Sequence, residues 1–252
     1  MSGDAVSLSR RVTGSGPPLV LVHGAAADSD SFRLLEPHLA GRFTVISVDR
    51  RGRRRSPDRE TYALEDEFED IVGVVETLRA PSIVFGHSFG GNVALGAAMR
   101  TRMIRGLVLY EPGRRGDAPD GMREELERLL AGDDRRAAMR LVLREFTRFP
   151  EEWLDDLLDT PPWQERLAYT GTFVRELRAY DEYDYGDLSR LATPTLLLVG
   201  GESPGGELEH ARSLCAVLPA ASVVVLSGEG HVAPVTAPAR VADEIISFAE
   251  RI

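Results

Sequence analysis

Four side chains in this sequence have the types and surroundings that nucleophilic catalysis needs. Ser88 stands in Gly86-His87-Ser88-Phe89-Gly90, between the apolar run "PSIVFG" and the small-residue segment "NVALGAAM". Glycines at that spacing let the backbone make a strained strand-to-helix turn that points a hydroxyl outward. A helix starting there adds N–H groups and a positive dipole end where negative charge develops. His231, in "GEGHVAP" just after the last strand-like run, can reach across strand ends, and its imidazole is suited to moving a proton near neutral pH. A base of this kind needs an acid to fix its tautomer. Two carboxylates each close a strand-like run: Glu202 in "LLVGGESPGG" and Glu111 in "YEP". A phosphate-binding loop is the competing reading of the glycine-rich turn. It fails because no G-K-[ST] follows.

These residues need a scaffold, and the hydrophobic pattern supplies one. Short apolar runs alternate with amphipathic segments, as in an α/β domain wound on a mostly parallel sheet. Strands are expected near 4–12, 18–22, 43–48, 81–86, 104–110, 194–199 and 222–226. Helices are expected over 31–40, 64–79, 91–99, 208–218 and 239–251. From Gly113 to about Arg190 the sequence turns dense in charge, with helical stretches broken by Pro150 and Pro161-Pro162 and no strand-like run. The expected organisation is therefore a core of 1–112 and 191–252 with a helical cap insertion at 113–190. Trp153, Trp163, Phe146, Phe149, Tyr169 and Phe173 in that insertion are expected mainly to pack it, with one or two lining a pocket.

Composition narrows the chemistry. The 252 residues are 43% hydrophobic, enough for a sizeable core. A net charge of −10 disfavours general nucleic-acid binding. The basic run Arg50 to Arg55, "RRGRRR", is expected to be a solvated surface loop that is structural or steers substrate. All 30 basic residues are Arg, and the absence of Lys excludes Schiff-base and pyridoxal-phosphate chemistry. The single Cys215, within "ELEHARSLCAVL", reads as a small buried thiol and not a nucleophile. No apolar run has the length of a membrane span and "MSGDAVSLSRR" lacks a signal-peptide core, so a cytoplasmic protein is expected. No metal or organic cofactor is needed; the expected partner is a small-molecule substrate, and oligomeric state is not readable.

The elbow at Ser88, with "LVLVHGAAADSDSF" at 19–32, "VISVDRRGRRRS" at 45–56, "GLVLYEPG" at 106–113 and "VVVLSGEGHVAPVTAP" at 223–238, resembles the α/β-hydrolase superfamily of the cap-bearing kind. The resemblance spans the whole core, about two thirds of the chain. It implies that the backbone amides of Ala25 and Phe89 form an oxyanion hole, that His23 braces its loop, and that Ser88 and His231 are nucleophile and base. His87 should point away from the site, while His38 and His210 lie in helices. The family usually places its acid three residues beyond the glycine after the penultimate strand, which here is Ser203. Glu202 is one residue out of place, and some members take the acid from the strand end where Glu111 stands. Glu111 is favoured, Glu202 is the alternative and reads more readily as a pocket-edge residue, and a dyad or another acid remains open. In the family's D-x-R-G-x-G-x-S loop, Arg54 replaces the second glycine. The implied activity is a serine hydrolase on a small or medium ester, thioester or lactone, through an acyl-enzyme. The alternatives are a non-hydrolytic biosynthetic step (cyclisation, elimination or acyl transfer) and a silent ligand-binding protein. Epoxide hydrolases and haloalkane dehalogenases of this fold carry Asp at the elbow, where this chain has Ser88.

Overall fold

A computed structural model describes residues 5–116, 118–147, 149, 151–203 and 205–252. Among the described residues seven strands are formed: β1 (Arg10–Gly14), β2 (Pro18–Val22), β3 (Thr44–Val48), β4 (Ser82–His87), β5 (Ile104–Tyr110), β6 (Thr195–Gly200) and β7 (Ala221–Leu226). Eleven α-helices accompany them among the described residues: α1 (Glu36–Leu39), α2 (Leu64–Glu76), α3 (Phe89–Ala98), α4 (Met122–Ala131), α5 (Arg135–Val142), α6 (Leu154–Leu158), α7 (Pro161–Arg166), α8 (Thr170–Glu182), α9 (Glu207–Val217), α10 (Ala233–Thr236) and α11 (Pro238–Ala249). None of them is long and apolar enough to cross a membrane.

The strands form one sheet in the order β1-β3-β2-β4-β5-β6-β7, with β1 antiparallel to β3 and every other pair parallel. Alternation within each strand sorts the side chains. Leu19 and Leu21, Ile83 and Phe85, Val108 and Tyr110, and Leu196 and Leu198 share a core with Val241, Ala242, Ile245 and Phe248 of α11. Their neighbours Val20, Val22, Val84, Leu107, Leu109 and Leu197 are buried as well. Burial on both faces explains why these strands read as continuous apolar runs. Helix α2 buries Leu64, Phe68, Ile71, Val72 and Val75 at helical spacing, while the Asp66 carboxylate reaches back to the Ala63 N–H at its start (3.0 Å). Each such fully buried large side chain contributes about 1.5–3 kcal/mol.

The chain divides into two compact units: 1–24 with 28–113 and 184–252, and 25–27 with 114–183. Among the described residues the regular elements of the second are all helical, and it has its own core of Met122, Leu126, Met139, Val142, Leu154 and Phe173. Phe146 packs edge-on to Phe173 at 5.1 Å and Phe149 to Trp163 at 6.4 Å. Trp153, in contrast, is 56% exposed. Pro150 and residue 4, where one expected strand begins, lie outside the described residues.

Three expectations are corrected. The segment 31–40 is not one helix: a 3₁₀ turn at Ser29–Phe32 precedes the short α1, whose Pro37 cannot donate into an ongoing helix. The basic run is not a solvated face, because Arg50, Arg51 and Arg53 are buried. The acidic face of α2 accounts for this: Arg51 Nε binds Asp70 (2.7 Å), Arg51 Nη1 meets Asp66 (3.2 Å), and Arg50 Nη1 lies 3.6 Å from Glu67. Cys215 is half-buried, not buried, and burial raises its pKa, opposite to the shift a nucleophilic thiol needs.

Arg54, at the family's glycine position, has φ +49°. Its backbone is in the left-handed region that disfavours a Cβ, and its Nη1 holds Asp30 at 2.6 Å. Arg54→Ala keeps the strain and loses the ion pair, whereas Arg54→Gly loses both. The glycine variant is expected to be the more stable of the two by about 1 kcal/mol in urea unfolding. Equal stability would show that this turn is unstrained.

Candidate active site

Ser88 sits between β4 and α3 with φ +53° and ψ −127°, a conformation that only tight constraint sustains. Its N–H donates to the Tyr110 carbonyl (2.9 Å), and its own carbonyl accepts from Gly91 (2.7 Å). The flanking glycines are a steric requirement. A Cβ on Gly86 would lie 2.5 Å from the Gly90 carbonyl, and one on Gly90 would lie 2.5 Å from that of His23. The Gly24 Cα approaches the nucleophile so closely that a Cβ there would stand 3.1 Å from that of Ser88. Phe89 is the first residue of α3, at the helix end where amides face outward and the dipole is positive. Ala25 falls in the segment 25–27 that groups with the helical unit.

Of the two candidate carboxylates, Glu111 is the one that reaches His231. Its Oε2 lies 2.7 Å from His231 Nδ1, and its Oε1 accepts the Gly200 N–H at 2.7 Å. Glu111 is 2% exposed. Burial pushes its carboxyl upward, but the His231 ring by hydrogen bond and charge, with the Gly200 amide, outweighs this and holds it below the usual carboxylate range. The backbone at Glu111 is left-handed, φ +42°. Asn92 on α3 fastens the chain just beyond it: its side-chain amide donates to the Gly113 carbonyl (3.0 Å), and its Oδ1 accepts the Gly113 N–H (2.6 Å). Glu202 is exposed, and among the described residues its hydrogen bond is from its backbone N–H to the Glu229 carbonyl (2.8 Å). Among the described residues no hydrogen bond brings Glu202 to His231. The one-residue offset in that turn leaves its carboxylate in solvent, and the usual acid position is filled by the Ser203 hydroxyl, which is buried.

His87 does not point away from the site. Its ring lies 4.8 Å from that of His231, and its Nε2 bonds the His231 carbonyl at 2.8 Å. Burial, and then the charge of His231, push its pKa down to about 3, so the ring is neutral at working pH. Among the described residues the Ser88 hydroxyl makes no hydrogen bond with His231; in ligand-free enzymes this contact commonly tightens only when substrate binds. His23 is buried, with Nδ1 on the Gly24 carbonyl (2.8 Å) and Nε2 accepting the Arg50 N–H (3.1 Å). A neutral ring protonated on Nδ1 satisfies both bonds and ties the end of β2 to the loop after β3. His38 is exposed on α1 and His210 half-buried on α9. No group of three or more His, Cys, Asp or Glu among the described residues is arranged to hold a metal ion.

The glycine-pinched serine, the buried carboxylate and the histidine follow the carboxyl ends of three parallel strands, β4, β5 and β7. Residues 19–244 match the model of the alpha/beta hydrolase family, and the chain belongs to that family. In three dimensions it is similar to an alpha/beta hydrolase from Sphaerobacter thermophilus, at 30% identity and a TM-score of 0.84 with 98% of both chains covered. It is also similar to a thermophilic esterase from Thermogutta terrifontis in a malate-bound structure, at 26% identity and a TM-score of 0.74, covering 100% of this chain and 97% of that one. Among curated proteins it is 38% identical over 109 residues to the 2-(acetamidomethylene)succinate hydrolase of Mesorhizobium japonicum, a match covering 42% of this chain and 39% of that protein. The chain spans less than half the length of the first curated relatives that it matches.

Proposed function

We propose that the protein is a serine hydrolase that cleaves a small or medium carboxylic ester, thioester or lactone through an acyl-enzyme on Ser88. One observation carries this reading: the 2.7 Å bond between buried Glu111 and His231 Nδ1, next to a serine in elbow geometry. Glu111 fixes the tautomer whose Nε2 is free to accept a proton. Ser88 Oγ attacks the substrate carbonyl, its proton passes to His231, and the leaving alcohol or thiol takes that proton as the acyl-oxygen or acyl-sulfur bond breaks. A water molecule then attacks the acyl-enzyme with His231 again as base, releasing the acid and the free hydroxyl. The amides of Phe89 and Ala25 are the proposed oxyanion donors, a role that needs no particular side chain.

The Glu111–His231 pair supplies the acid that a hydrolytic triad uses, which favours hydrolysis over a non-hydrolytic step in the same pocket. The relatives' names support hydrolysis and bring a succinate derivative and malate to the choice of substrates. The test is turnover of p-nitrophenyl acetate and butyrate, and of methyl esters of succinate and malate, by wild type and Ser88→Ala. Hydrolysis predicts product release by wild type well above the variant. Equal, background release on every ester would sink the reading.

A further inference from the structure

Two residues that no step of the proposed reaction uses fasten the loop that carries His231. On the parallel strands β4 and β5, His87 stands opposite Tyr110, and their rings meet edge to face at 5.7 Å. The Tyr110 hydroxyl donates to the Gly230 carbonyl at 2.7 Å, and His87 Nε2 bonds the carbonyl of the next residue, His231, at 2.8 Å. Consecutive carbonyls of the loop are thus held by consecutive strands of the sheet. The His231 ring is held separately, by Glu111 at Nδ1 and by the face of the His87 ring.

We propose that His87 and Tyr110 form a clasp that sets the two peptides flanking the His231 Cα, and so aims the His231 ring at Glu111 on one side and at the substrate on the other. His87 is then a positioning residue, not a second base; this rests on the reading of His231 as the base. A clasp of this kind needs a proton on each clasping atom. Burial, then the charges of Glu111 and Glu229, raise the Tyr110 pKa, so the phenol keeps its proton. At His87, the groups that face the ring are His231, Tyr110 and Glu111. Its depressed pKa keeps it neutral, so it donates from Nε2 without competing for the proton that turnover places on the neighbouring ring. A second cation 4.8 Å from a protonated His231 would oppose that transfer.

The clasp is separable from ring packing by substitution. Glutamine can place an N–H near the position of Nε2, phenylalanine keeps the ring without the donor, and Tyr110→Phe keeps the core ring without the hydroxyl. The full chain carrying His87→Phe, His87→Gln or Tyr110→Phe is compared with wild type in two readouts. These are kcat and KM on a p-nitrophenyl ester, and the strongly downfield proton NMR signal of the His231 Nδ1–H shared with Glu111. The clasp predicts that His87→Phe lowers kcat by about 10²-fold with KM little changed, and that the downfield signal broadens or disappears. His87→Gln recovers most of both, and Tyr110→Phe shifts both in the same direction as His87→Phe. Wild-type kcat and an unchanged signal in His87→Phe would overturn the proposal. So would equal losses in His87→Phe and His87→Gln with wild-type circular dichroism, because the donor that glutamine restores would then not be what sets the His231 ring. If wild type hydrolyses no ester, the proposed function fails, but the signal needs no turnover: its survival in His87→Phe still rejects the clasp and its loss still supports it.

Discussion

Ser88→Ala is expected to lower ester turnover by about 10⁶-fold while leaving the fold intact. Alanine keeps the Cβ that the elbow already accommodates at φ +53° and removes only the hydroxyl. The bonds that hold the turn, from the Ser88 N–H to Tyr110 and from Gly91 to the Ser88 carbonyl, are backbone bonds and survive. The loss is therefore chemical: without Oγ no acyl-enzyme forms, and residual rate comes only from binding and oxyanion stabilisation of direct attack by water. Stopped-flow release of p-nitrophenol, with folding checked by circular dichroism, measures it. Retention of even a few per cent of wild-type turnover would mean that the nucleophile is elsewhere.

The second large effect belongs to Glu111→Gln, with an expected fall in kcat of about 10⁴-fold. Gln preserves shape and the bond to the Gly200 amide but can present N–H to His231 Nδ1, which selects the wrong tautomer and withdraws the charge that stabilises the imidazolium. Glu202→Gln, on an exposed residue, is expected to stay within about twofold of wild type. Glu111 also carries a pH signature. Its folded pKa lies below its ordinary value, so it contributes stability above about pH 4.5, and that contribution is lost as pH falls through the lower folded value. Chemical unfolding of wild type and Glu111→Gln should thus differ most at neutral pH and converge in acid. A gap that widened in acid would mean that the buried carboxyl is not held ionised by His231.

How much of this was legible depends on whether the determinant is local. The elbow at Ser88 is local: glycine spacing, an apolar run before it and small residues after it fix strand, turn and helix together. The placement of His231 after the last strand followed from the same alternation of elements. Choosing between Glu111 and Glu202 was not local, since it depends on a left-handed residue whose following chain is held at Gly113 by Asn92 of α3, and on which carboxylate the sheet leaves in solvent. His87 was misjudged because its partner is a backbone carbonyl 144 residues away. No feature of "GHSFG" announces that contact, although a parallel register that sets His87 opposite Tyr110 would have. The arginine run was misread for a related reason. The charges of Arg50 and Arg51 are answered by "LEDEFED" on α2, and complementarity between a basic loop and an acidic helix start was the available signal.

The most direct test of the central assignment is the intact mass of the protein after reaction with a fluorophosphonate, followed by location of the adduct. Phosphonylation stops at the first covalent step, so it reports the activated nucleophile whatever the natural substrate is. A single adduct on Ser88 is expected, absent from Ser88→Ala and formed far more slowly in Glu111→Gln than in Glu202→Gln. An unmodified wild-type protein, or an adduct on another residue with Ser88 untouched, would contradict the assignment of Ser88, His231 and Glu111 as one catalytic unit.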